Sequence, residues 1–254
     1  YYSSVSSSWV EHARCYAEAM IADLGLGRDS FVVEVAANDG YLLQFFHSAH
    51  IPCLGVEPSL GTARVARDKG IPMCCEYFGA ELAHKLVAEH GRPDLVAANN
   101  VLAHVPDIRD FVQGLAILLG ESGLLTLEFP HLMRLKAENQ FDTVYHEHYS
   151  YFSLGTVQRI LAEFGLDVVD VEELSTHGGS LRVHAKHQGA CDVSNRVEAL
   201  LQREGDAGMQ GLAYYADFQA QADSVKNSLL RFLLDQRELG RTVAGYGAAA
   251  KGNT

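Results

Sequence analysis

Several features that commonly decide a protein's class are scarce in this sequence. Five cysteines are present (Cys15, Cys53, Cys74, Cys75 and Cys191), and no two of them stand as C-x-x-C. The usual spacing of a structural zinc site is therefore missing, and the odd number reads as free thiols in a chain expected to be cytoplasmic. No apolar run approaches ~18 residues, so no transmembrane helix is expected. No charged stretch followed by an apolar core opens the sequence, so no secretion signal is read. Basic side chains are outnumbered 20 to 32, for a net charge of −12, and form no run. That balance argues against nucleic acid as the main partner, and no membrane partner is expected. There is no internal repeat, and the only low-complexity stretch is the run of serines near the start.

What is present suffices for a large core, with 48% hydrophobic residues in 254. Trp9, Ala13, Tyr16, Ala17, Met20 and Leu24 recur at helical spacing. Ser7 or Ser8 is the expected cap of this helix and Gly25 its stop. From there strand and helix patterns alternate. Strands are expected at 31–36, 53–56, 71–75, 94–98 and 123–129, and helices at 41–47, 61–69, 81–89 and 108–119. This alternation predicts a doubly wound parallel sheet. After the fifth strand comes a long connection, 132–152, then a helix at 156–164 capped by Ser153. Strands at 167–171 and 180–187 are separated by a short link, so they should be antiparallel. Five parallel strands ending in an antiparallel pair form the α/β, Rossmann-like pattern of class I S-adenosylmethionine methyltransferases. Residues 193–238 read as a helical connector. The expected division is a lead-in over 1–30, the methyltransferase domain over 31–188, the connector over 189–240 and the start of a further α/β domain over 241–254. Both ends read as cut, since the sequence opens at Tyr1 and closes on V-A-G-Y-G-A-A-A-K-G-N-T.

Ligands of open parallel sheets bind outside the carboxyl ends of the strands, and four such ends carry suggestive residues. The first is E-V-A-A-N-D-G, with Glu34, Ala36, Asn38 and Gly40. Ala36 and Asn38 stand where a dinucleotide fingerprint would place its first two glycines. A pyrophosphate cradle is therefore not expected, and a cofactor without phosphates, such as S-adenosylmethionine, suits the turn. Glu57, about 20 residues on, is placed to accept hydrogen bonds from ribose hydroxyls. Phe78, in Tyr77-Phe78-Gly79, could flank an adenine, and Asn99 and Asn100 fall near the methionine end.

The stretch V-Y-H-E-H-Y-S-Y-F, 144–152, falls in the long connection above this edge. As a metal site it offers His146 and His148, but no spacing fixes a third ligand, so no metal is expected. As structure, a histidine here simply satisfies backbone groups, the fate assigned to His146. As a base, an imidazole among aromatic rings can take a proton near neutral pH. Glu147 could orient it, and Tyr145 could bond a developing oxyanion. Carbon methylation needs such a base; oxygen methylation does not. The final A-K-G-N-T offers Lys251 and backbone amides to a phosphate, or merely a solvated lysine.

The sequence resembles the nucleotide-sugar C-methyltransferases, which methylate C3 of dTDP-4-keto-deoxysugars in antibiotic sugar pathways. The resemblance rests on Y-Y-S-S-V-S-S-S-W, E-V-A-A-N-D-G-Y-L-L-Q, N-N-V-L-A-H-V-P-D-I, E-F-P-H-L, Q-F-D-T-V-Y-H-E-H-Y-S-Y-F-S, T-H-G-G-S-L-R-V and the closing stretch. It implies that His148 is the base, assisted by Tyr145, Glu147 and Tyr1 or Tyr2. It also implies that T-H-G-G-S-L-R, with His177, Ser180 and Arg182, and the turn with Lys251 and Asn253 lie near a nucleotide-sugar substrate. Such proteins usually begin with a cysteine-rich zinc module and end in a full C-terminal domain, both outside this sequence. The competing readings are a nicotinamide-dependent sugar oxidoreductase, against which the missing glycines count, and a non-catalytic binding module.

Overall fold

The computed structural model describes residues 2–247. Seven strands form one sheet: β1 Val32–Val35, β2 Cys53–Val56, β3 Met73–Cys74, β4 Leu95–Asn99, β5 Leu124–Pro130, β6 Leu166–Leu174 and β7 Ser180–His187. Their order is β3-β2-β1-β4-β5-β7-β6. The first five run parallel, and β7 lies antiparallel to both β5 and β6. The chain is thus an α/β class I methyltransferase sheet with a terminal antiparallel pair, as the strand pattern predicts.

The sheet is central because its strands alternate between two apolar layers. Val33, Val35, Val96, Ala98, Leu125, Leu127 and Phe129 face one layer. That layer contains α4 Ala80–His90, α5 Ile108–Leu118 and α7 Leu154–Ala162. Val32, Leu95, Ala97 and Leu124 face the other, built from α1 Ser7–Leu24, α2 Leu43–Ser48 and α3 Leu60–Asp68. The same period of two sends Glu34, Asn99, Thr126 and Glu128 toward the α1 layer. Helix α1 buries Ala13, Tyr16, Ala17 and Met20 there and stops at Gly25, whose φ of 62° is the left-handed C-terminal cap. Its N-cap is Ser6, whose hydroxyl accepts from the Trp9 amide; Ser7 and Ser8, the expected caps, are already helical.

Two stretches divide into finer elements than the sequence pattern separates. The connection after β5 contains a short helix, α6 Leu132–Ala137, and a 3-10 turn at Phe141–Thr143. The 193–238 stretch divides into α8 Asn195–Asp206, a 3-10 turn and α9 Phe218–Glu238. Helix α8 belongs to the core, with Val197 and Leu200 in the first layer, whereas α9 buries no residue. Glu204 of α8 is buried, accepting from the Leu154 and Gly155 amides that open α7 and bonding His131 Nε2 at 2.8 Å. Burial alone would raise its pKa, but His131 and the two amides hold it below the ordinary carboxylate value. Among the described residues, no helix is long and apolar enough to cross a membrane.

Candidate active site

The turn after β1 holds an unusual backbone. Ala36, Asn38 and Gly40 all have positive φ, at 62°, 50° and 73°. Only glycine adopts such angles without strain, so the turn keeps a glycine-type conformation with two side chains in it. At Gly40 a Cβ would also meet Ile71 Cδ1 at 2.5 Å. Glu57, at the end of β2, braces the turn: one carboxylate oxygen accepts from the Asn38 amide at 3.0 Å and the other from the Ser59 amide at 2.9 Å. The N-terminal segment closes it from above. The Ser3 amide donates to Asn38 Oδ1, and the Ser4 amide and hydroxyl donate to Asp39 Oδ2. Tyr2 heads this segment and is 44% exposed. Tyr1, Lys251 and Asn253 lie outside the described residues.

Three buried acceptors beside this turn have no hydrogen-bond partner: Glu34 Oε2, Asp39 Oδ1 and Asn99 Oδ1. Burial, with Asp39 and Glu57 close by, raises the pKa of Glu34 well above the usual carboxylate range. Unsatisfied buried oxygens are costly, and together they suit a ligand carrying positive charge and hydroxyl donors.

A second polar group crosses the neighbouring strands in one row. Register sets Asn99 of β4 beside Glu128 of β5, Glu128 beside Arg182 of β7, and Arg182 beside Glu172 of β6. Arg182 bonds Glu128 at 3.1 Å and Glu172 at 3.5 Å and stacks on the Tyr16 ring. His12 of α1 completes the row, with Nε2 3.0 and 3.1 Å from the two oxygens of Glu128. Burial would raise the pKa of Glu128, but His12 and Arg182 bring it below the ordinary value. The structure therefore commits Arg182 to carboxylates inside the protein, and the Ser180 hydroxyl donates to the Thr176 carbonyl. Of the expected substrate residues in this stretch, His177 alone is exposed, its ring against Trp9 at 4.9 Å. Phe78 packs edge-on against Phe111 at 5.5 Å, at the margin of the apolar layer.

The Y-H-E-H stretch is a turn rather than an extended segment, with the His148 amide donating to the Tyr145 carbonyl. His148 Nδ1 lies 2.8 Å from the Thr143 carbonyl oxygen. A carbonyl can only accept, so Nδ1 carries a proton, and in the neutral ring Nε2 is the nitrogen with the lone pair. The rings of Tyr145, His104 and Tyr151 stand 4.4, 4.7 and 5.9 Å from that of His148. His104, on the segment after β4, also bonds the Glu147 carbonyl at 3.0 Å, and the Tyr149 amide donates to the Ala103 carbonyl. The turn is thereby pinned beside the carboxyl end of β4. His146 and Glu147 point outward, 73% and 60% exposed. Among the described residues, no three His, Cys, Asp or Glu side chains converge as a metal site.

The sequence reading gave no catalytic or binding role to His12, Asp39, Glu128 or His104. Glu128 carried a signal, as an acidic residue inside the apolar run L-L-T-L-E-F; His12 and His104 carried none, because their partners are set by tertiary packing.

Comparison with known proteins matches residues 9–171 to a methyltransferase domain and residues 175–254 to the C-terminal domain of C-methyltransferases. The C-methyltransferase NovU of Streptomyces niveus is 35% identical over the whole of this chain, which spans 60% of that protein's length. Magnesium protoporphyrin IX methyltransferase of Synechocystis PCC 6803, solved with bound SAH, superposes with a TM-score of 0.56 at 17% identity, over 70% of this chain and 83% of that one. A methyltransferase of Anabaena variabilis gives a TM-score of 0.55 at 16% identity, over 69% and 84%. These two solved structures share the fold. With the domain match covering more than half its length, the chain belongs to the methyltransferase domain family.

Proposed function

We propose that this chain carries out S-adenosylmethionine-dependent C-methylation beside the keto group of a nucleotide-linked deoxysugar, with His148 as the base. The observation that carries the reading is the His148 tautomer. Its Nδ1–H is held by the Thr143 carbonyl, which presents Nε2 as proton acceptor beside the carboxyl edge of the sheet. A C-methyltransferase, unlike an oxygen methyltransferase, requires such a group. The 35% identity to NovU, named a C-methyltransferase, supports the same reaction type.

The residues at the β1 turn fit the cofactor. Glu57 would take its ribose hydroxyls, and Glu34, Asp39 and Asn99 offer unsatisfied oxygens toward its cationic part. When bound, S-adenosylmethionine supplies a methyl group on a positively charged sulfur. The chain's own residues do the rest. His148 Nε2 takes the proton from the carbon beside the carbonyl, the electron pair moves onto the carbonyl oxygen, and Tyr145 donates a hydrogen bond to that oxygen. The nucleophilic carbon so formed would be methylated by the cofactor, whose sulfur–methyl bond would break as the carbon–carbon bond forms, the sulfur leaving as the neutral thioether. Glu147 and Tyr2 are assigned to assist the base, His177 to the sugar, and Lys251 and Asn253 to its nucleotide.

The test uses full-length protein. His148→Gln should lower methyl transfer by about 10²–10⁴-fold and stop exchange of the sugar's acidic proton with deuterated water, followed by NMR. Calorimetric affinity for S-adenosylhomocysteine should stay within about twofold, and NAD should not bind. His146→Gln should retain most activity. Wild-type exchange in His148→Gln would exclude it as the base and point to Tyr145 or Glu147.

A further inference from the structure

The turn that carries His148 is held by little packing. Among the described residues, none between Leu135 and Phe152 is buried, and Phe141, Val144 and Tyr149 leave their side chains exposed. A segment so poor in buried contacts depends on its hydrogen bonds for order. The Thr143 carbonyl beside His148 Nδ1 belongs to a residue that donates twice to the Gln140 carbonyl, from its amide at 3.0 Å and from its hydroxyl at 2.8 Å. Gln140 in turn uses both hydrogens of its side-chain amide. One goes to the Gly178 carbonyl at 2.6 Å and the other to Glu138 Oε2 at 2.9 Å. One path therefore runs from His148 through Thr143 and Gln140 to Gly178, at the tip of the β6–β7 hairpin.

The tip is shaped for this contact. Gly178 and Gly179 have φ of 77° and 114°. A Cβ on Gly178 would lie 2.4 Å from Gln140 Nε2, and one on Gly179 would lie 2.8 Å from Arg134 Cγ. The glycine pair thus lets the hairpin backbone rest directly on side chains of α6 and of the turn after it. His177, the next residue in this tip, is itself left-handed at φ 51°.

We propose that Gln140 and Thr143 are positioning residues for the base, fixing His148 to the tip of the β6–β7 hairpin. They act on the tautomer and the aim of the imidazole. A histidine in water favours the proton on Nε2, so a ring released from the Thr143 carbonyl would present its proton, not its lone pair, to the sugar. A displacement of about 1 Å costs about 10²-fold in rate by itself. The proposal rests on His148 as the base, and adds that the base and the hairpin carrying His177 form one unit.

The experiment uses full-length protein with a dTDP-4-keto-deoxysugar as the probe. Thr143→Val and Gln140→Leu should each lower kcat for methyl transfer, and exchange of the sugar's acidic proton, by about 10–100-fold. In Thr143→Val, which leaves the hairpin contact in place, KM for the sugar should stay within about twofold. Thr143→Ser keeps the hydroxyl, should restore most of the rate and also controls for folding. The double variant should lose no more than the worse single one, since both cut the same path. Nitrogen NMR shifts of the neutral His148 ring, assigned by its absence from His148→Gln, read the tautomer without substrate: Nδ1–H in wild type and Thr143→Ser, a mixture in Thr143→Val and Gln140→Leu. An unchanged kcat and tautomer in those two variants would overturn the positioning role and leave the base standing. So would losses that multiply in the double variant, or a slower enzyme that keeps the wild-type tautomer. Wild-type proton exchange in His148→Gln would remove the base itself.

Discussion

Ala36 sits at φ 62°, where an L side chain costs about 1–2 kcal/mol of strain. Ala36→Gly removes that strain and adds back about 0.4–1 kcal/mol of unfolded-state entropy. The expected result is a gain of about 0.5–1 kcal/mol in urea unfolding; a loss would mean that the turn is relaxed as it stands. Glu34 predicts a pH effect. Its folded pKa is raised, so its contribution to stability is complete below the unfolded value, about 4.3, and declines as pH rises toward the folded value. Glu34→Gln does not titrate. In ligand-free protein the variant should therefore gain on wild type between pH 5 and 8, and a constant difference in urea midpoint across that window would contradict the shift.

At the scale of elements, the buried Glu204 ties α8 to the start of α7 and to His131 at the end of β5. Glu204→Ala leaves His131 and two helix-opening amides unpaired, and should cost about 3–5 kcal/mol in chemical denaturation. Because its folded pKa is lowered, the contribution of Glu204 is present above the unfolded value and lost as pH falls through the folded one. The variant should thus be the less acid-sensitive protein, and an unchanged acid midpoint would count against the pairing. The strands and long helices were legible from periodicity because each burial pattern is local. Helix α6, six residues long, spans too few turns to show a period. The N-cap was displaced by one position because Ser6, Ser7 and Ser8 look alike in sequence, and only the bond to Trp9 separates them. The row from Asn99 through Glu128 and Arg182 to Glu172 could not be read, since register between β4, β5, β7 and β6 is not written in any one strand. That is why Arg182, implied to lie near substrate, proves to be bound among carboxylates.

For the molecule as a whole, the turn after β1, the imidazole turn and α1 converge on one edge of the sheet, so ligand binding there should stabilise the entire domain. S-adenosylhomocysteine at 100 times its dissociation constant should add about 2.7 kcal/mol, read as a thermal shift. Glu57→Ala should reduce that shift sharply, and an undiminished shift would remove Glu57 from the site.

The contact between His12 and Arg182 joins residues 170 positions apart. At about 5–20 residues per second, a ribosome that has made His12 needs roughly 10–30 s more to make Arg182. Through that interval the first helix has its apolar neighbours from β1 and α2 but not its polar anchors on β5 and β7. Tyr16 likewise waits for Thr126, 110 residues later. During synthesis the first long element to emerge is thus among the last to find all of its partners, and a chain arrested before β5 would carry α1 without the bond from His12 to Glu128.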